Sequence, residues 1–61
     1  MKIEVIGIID AERDEVFQEV EDNGFEWDWT SARSISVEGI PYGIESFTMW
    51  LDSMDILWAN N

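Results

Sequence analysis

Histidine and cysteine are absent from this chain, so the side chains that could do chemistry are chiefly its fourteen Asp and Glu residues. Two spacings among them matter. Glu26 and Asp28 stand two apart in an alternating stretch, on one face of a strand, where paired carboxylates can serve as acid and base. Glu12, Glu15, Glu19 and Asp22 recur at intervals of three and four, the spacing that stacks side chains along one side of a helix. At about 1.5 Å of rise per residue that row spans ~15 Å. Carboxylates set one turn apart in this way crudely imitate a run of backbone phosphates.

Catalysis is not expected from this inventory. Without His or Cys, most general acid–base, nucleophilic and transition-metal sites are missing. No Gly-rich phosphate loop or Ser-centred motif is present, and 61 residues leave no room for a water-excluding cleft around Glu26 and Asp28. No stretch matches the Asp-x-Asp-x-Asp-Gly calcium loop, and Glu21-Asp22-Asn23-Gly24 reads first as a helix end. Neither a metal site nor a cofactor is expected, only weak screening by divalent cations.

Only Lys2, Arg13 and Arg33 oppose the fourteen acids, which leaves a formal net charge of -11. Such a charge resists compaction and favours cationic partners. It also disfavours direct contact with nucleic-acid phosphates or anionic membranes, which call for a basic footprint. A hydrophobic content of 46% and four Trp nevertheless separate the chain from disordered acidic segments, so one folded domain over 1–61 is expected. A domain this small buries only about 60% of its unfolded surface, and no disulfide is available to staple it. Homodimerisation would compensate. The opening Met1-Lys2-Ile3-Glu4 is followed by an apolar run too short for a secretion signal, and no stretch is long enough to span a membrane; a cytoplasmic location is expected.

The elements that must position these residues follow from periodicity. Residues 2 to 9 are rich in β-branched side chains and predict a first strand ending at Asp10. Asp10 suits an N-cap, Val16, Phe17 and Val20 recur at helical spacing, and Asn23-Gly24 supplies a stop, predicting a helix over 11–23. From Phe25 the period becomes two: Phe25, Trp27 and Trp29 alternate with Glu26, Asp28 and Thr30. Residues 34–38 repeat the pattern, implying an antiparallel hairpin. After a turn at Pro41-Tyr42-Gly43, an arc of Ile44, Phe47, Trp50, Leu51, Met54, Leu57 and Trp58 predicts a second helix over 44–58. The expectation is an α+β domain of order β-α-β-β-α, with two helices packed on one face of a three-stranded sheet. The strands flanking the first helix are parallel, and the third lies between or outside them.

Nine of the fourteen carboxylates lie between residues 10 and 28. On the first helix Asp14 and Glu21 flank the stripe of Glu12, Glu15, Glu19 and Asp22, and Val16, Phe17 and Val20 occupy the other side. Local rules are broken there in one direction. Glu21 and Asp22 oppose the helix dipole, and Glu15 and Glu19 repel each other at i,i+4 with no Lys nearby. Where local preference is sacrificed, function is the expected reason. The open sheet face contributes Glu26 and Asp28 with Glu4 and Glu38, interrupted by Ile6 and Ile8. Met49 and Ile56 are expected on the outer side of the second helix and Trp50 at the edge of its arc, as apolar anchors. The four Trp are otherwise expected in the core, and Arg13 and Arg33 are each expected to pair with a carboxylate.

In composition, over the whole chain and at no individual position, the sequence resembles the viral and mobile-element inhibitors that imitate DNA or block the basic channel of a nucleic-acid enzyme. The resemblance implies a non-enzymatic inhibitor, phage-encoded and acting in the host cytoplasm. Its partner would be a basic nucleic-acid-binding protein: a nuclease, a CRISPR effector, or a repair or transcription factor. The alternative is a small structural interaction module, a homodimer or complex subunit, whose acidity serves solubility. Salt separates the two, since the first binds more weakly as charge is screened and an apolar dimer does not.

Overall fold

The computed structural model describes residues 1–61 as β1 (Lys2–Ile6), α1 (Asp10–Asp22), β2 (Glu26–Ser31), β3 (Ser34–Glu38), α2 (Pro41–Ser53) and β4 (Leu57–Asn60). The strands form one antiparallel sheet in the order β2-β3-β1-β4. β1 and β2 are therefore parallel to each other with β3 between them, as in a split β-α-β unit. Four strands replace the expected three.

Alternation places Ile3 and Val5 of β1 opposite Val37 and Ile35 of β3, and all four are fully buried. Val16 and Val20 of α1 and Ile44, Phe47 and Leu51 of α2 join them in one core, so both helices cover one face of the sheet. The other face is open. Trp27 and Trp29 also stand on the covered side, opposite Val37 and Ile35, but they remain 38% and 43% exposed. β2 is an edge strand, and neither helix extends far enough to bury it. The two-residue turn at Ala32-Arg33 is joined to β2 through a bulge between Trp29 and Ser31.

Helix ends explain the remaining differences. α1 begins one residue early because Ile9, not Asp10, is the N-cap; Asp10 lies in the first turn, with no side-chain capping bond. Its end behaves as Asn23-Gly24 predicts. Gly24 takes φ +68°, its N–H donates to Glu21 O at 3.0 Å, and the N–H of Phe25 donates to Val20 O at 3.1 Å, the Schellman pattern. α2 starts at Pro41, whose missing N–H costs nothing in the first helical position, so the expected turn is helix.

The same Schellman pattern ends α2 without a glycine. Asp55 takes the left-handed conformation, φ 61°; its N–H donates to Asp52 O at 3.1 Å, and Ile56 N–H donates to Leu51 O at 2.9 Å. The chain then reverses into β4 and pairs with β1. Ile56, which follows the left-handed residue, is thereby tucked into the core at 5% exposure, whereas Leu57 is 71% exposed on the open face. Ile8 is likewise buried, not on the open face.

Candidate protein-binding surface

α1 is oriented by its aromatic contact with β2. Phe17 lies 4.7 Å from Trp27 and 5.5 Å from Trp29, and the Arg13 guanidinium sits 5.2 Å from the Trp29 ring centre. Those contacts fix the flank of α1 that faces β2. By helical periodicity Glu12, Glu15, Glu19 and Asp22 fall on the opposite flank, Glu12 and Glu19 half-buried, Glu15 and Asp22 exposed. Asp14 and Glu21 are exposed on the β2 side of the outer surface.

The polar contacts of these acids are with neutral groups. Gln18 Nε2 donates to Asp22 Oδ1 at 2.8 Å, and Asn23 Nδ2 donates to the Glu19 carbonyl at 2.8 Å and to its Oε2 at 3.5 Å. The only ion pair in the molecule joins Arg33 to Asp10 at 3.9 Å, with both side chains largely exposed. Arg13, which was expected to find a carboxylate, stacks on Trp29 instead. The anionic stripe is left without an intramolecular cation.

Glu26 and Asp28 lie elsewhere. They occupy the open face, where Glu26 stands directly opposite Glu38, itself opposite Lys2, and Asp28 lies opposite Ser36, then Glu4. Thr30 Oγ1 donates to Glu4 Oε2 at 2.8 Å. A like-charged pair directly across two strands is unfavourable. The two acidic groups, helix stripe and open face, are therefore on opposite sides of the sheet and cannot meet one flat partner together.

Of the expected apolar anchors, Met49 projects from α2 at 72% exposure. Trp50 is half-buried and stacked on Phe47 with ring centres 5.9 Å apart. Ile56 cannot serve as an anchor, because the turn at Asp55 buries it. Leu57, beside Ile6 on the open face, is the exposed apolar residue that the helical reading concealed; the alternation from Leu57 to Asn60 was its only signal.

A cleft of about 140 Å³ lies between the α1 N-terminus and the β2–β3 turn, lined by Arg13, Arg33, Asp10, Phe17 and Trp29 among others. Its cations are already engaged, Arg13 by Trp29 and Arg33 by Asp10 and by the Ile8 carbonyl at 3.4 Å. No group of three or more carboxylates converges to hold a metal ion, and no helix is long and apolar enough to cross a membrane. Comparison with known protein families, curated proteins and solved structures finds no match to this chain.

Proposed function

We propose that this small α+β domain is a non-enzymatic acidic inhibitor, of the DNA-mimic kind used by phages against restriction or CRISPR enzymes. In this reading it acts in the host cytoplasm and occupies the basic nucleic-acid-binding surface of a host protein. The observation that carries the reading is the uncompensated stripe Glu12, Glu15, Glu19 and Asp22 on α1, none of whose members makes an ion pair within the chain. A surface that keeps unpaired charge against its own stability suits a partner that supplies the cations. Met49, on the helix layer with α1, supplies an apolar anchor to slow release, while charge complementarity speeds association.

The test is capture from host lysate at low salt, followed by elution with rising salt. One basic nucleic-acid-binding protein should be retained by the native chain and lost by a Glu15→Lys, Glu19→Lys variant of unchanged circular dichroism. Capture that survives the double reversal, or that is indifferent to salt, would overturn the assignment to α1.

A further inference from the structure

The two edges of the sheet are guarded unequally. Reciprocal backbone bonds between Met1 and Gly39 turn the backbone groups of Val37 and Ile35 toward β1 and those of Glu38 and Ser36 toward Glu26 and Asp28, so the outward-facing backbone groups of β2 belong to Trp27 and Trp29. The Trp29 N–H is already occupied: Asp28 Oδ1 accepts from it at 2.9 Å. Two carboxylates and a bulge complete the protection of that edge.

β4 carries none of these devices. Leu57-Trp58-Ala59-Asn60 contains no charge, proline or bulge, in a chain whose net charge is -11. The N–H of Asn61 donates to Lys2 O at 3.2 Å, and alternation from that bond turns Ala59 and Leu57 toward β1. The backbone groups of Trp58 and Asn60 therefore face outward. Leu57 and Ala59 are exposed on the open face beside this edge.

We infer that β4 is a self-pairing edge, where a second copy of this chain adds in antiparallel register and joins two four-stranded sheets into one. The occupant follows from charge and symmetry. This is the edge strand that carries no carboxylate of its own, the nearest being Asp52 and Asp55 where α2 ends, and its outward groups are self-complementary. In the two-fold register Trp58 of each chain exchanges backbone hydrogen bonds with Asn60 of the other. Ala59 then faces its own copy at the axis, in the close, non-hydrogen-bonded pair where a small side chain fits, at a Cα separation of about 4.5 Å. A four-residue contact between strongly like-charged bodies gives a weak dimer that salt strengthens. This inference is independent of the proposed inhibitor function and is tested on the isolated protein.

Sedimentation of the native chain over a concentration series should reveal monomer–dimer exchange, with dimerisation several-fold tighter at ~0.5 M salt than at low salt. Asn60→Pro removes an outward N–H that the monomer does not use, and should weaken the dimer about tenfold or more. Because the chain lacks cysteine, Ala59→Cys gives an independent readout: mild oxidation should cross-link it across the axis, since about 4.4–6.8 Å between Cα atoms suffices. Leu57→Cys, displaced from the axis, should not cross-link. A monomer at every concentration and salt, or equal cross-linking of the two cysteine variants, would overturn the inference.

Discussion

The indole N–H of Trp58 donates to Asp52 Oδ1 at 2.9 Å, tying the edge strand β4 back to the last turn of α2. The bond spans the left-handed turn at Asp55. A single exposed hydrogen bond contributes about 1 kcal/mol. Trp58→Phe, which keeps a ring but loses the donor, should lower unfolding free energy by about that amount in urea titration of dilute protein. No change would mean that water replaces the bond without loss.

Asp55 carries the opposite expectation. A non-glycine residue at φ 61° is held in a conformation that costs on the order of 1 kcal/mol more than glycine does. Asp55→Gly should therefore stabilise the domain by about 0.5–1 kcal/mol, although it enlarges the entropy of the unfolded chain. Asp55→Ala removes the same charge without relieving the backbone. If the two variants melt alike, charge and not conformation governs the position.

Phe25 lies against Gly39 so closely that a Cβ there would overlap its ring, and a Cβ on Gly43 would sit 3.1 Å from Phe25 Cε1. Gly39→Ala should cost about 1–3 kcal/mol, the usual penalty of overpacking. In a Phe25→Ala background the same change should cost much less, because the obstructing ring is gone. Additive losses in that double-mutant cycle would contradict the close approach.

With one ion pair against fourteen carboxylates, the charges of the native state repel one another on balance. Raising salt from a low level to ~0.5 M shrinks the Debye length well below the roughly 10 Å found at 0.1 M. Relief of 1 kcal/mol shifts the melting temperature of a domain this size by about 4–8 °C. Thermal unfolding at a dilution that keeps the chain monomeric should show a rise of that order. A fall would mean that favourable charge contacts outweigh repulsion.

How much of this was legible depended on whether a residue advertised its own conformation. Asn23-Gly24 announces a left-handed helix end by composition, and α1 ends there. Asp55 adopts the same conformation without that signal, and Leu51, Met54 and Trp58 continue a helical arc across it, so periodicity extends the helix into what is the start of β4. Ile56 and Leu57 exchanged places between exposed and buried for the same reason. Alternation correctly placed Trp27 and Trp29 on the covered side of the sheet, but nothing in a period of two says which strand is an edge. The helix that carries the acidic stripe needed only helical periodicity, whereas the half-burial of Glu12 and Glu19 within that stripe carried no signal. The separation of the stripe from Glu26 and Asp28 carried none either, because it depends on which sheet face the helices cover.

The packing of Phe17 against both Trp27 and Trp29 has an optical consequence. Those two indoles lie 5.6 Å apart with their planes at 83°, close enough for their excited states to couple. The domain therefore carries its own spectroscopic gauge of whether α1 is seated on β2, since rotation of either ring would change the sign or size of the exciton signal in circular dichroism. Because Arg13 lies over one of the rings, a ligand that draws the guanidinium away would also be visible in tryptophan emission, without any label being added.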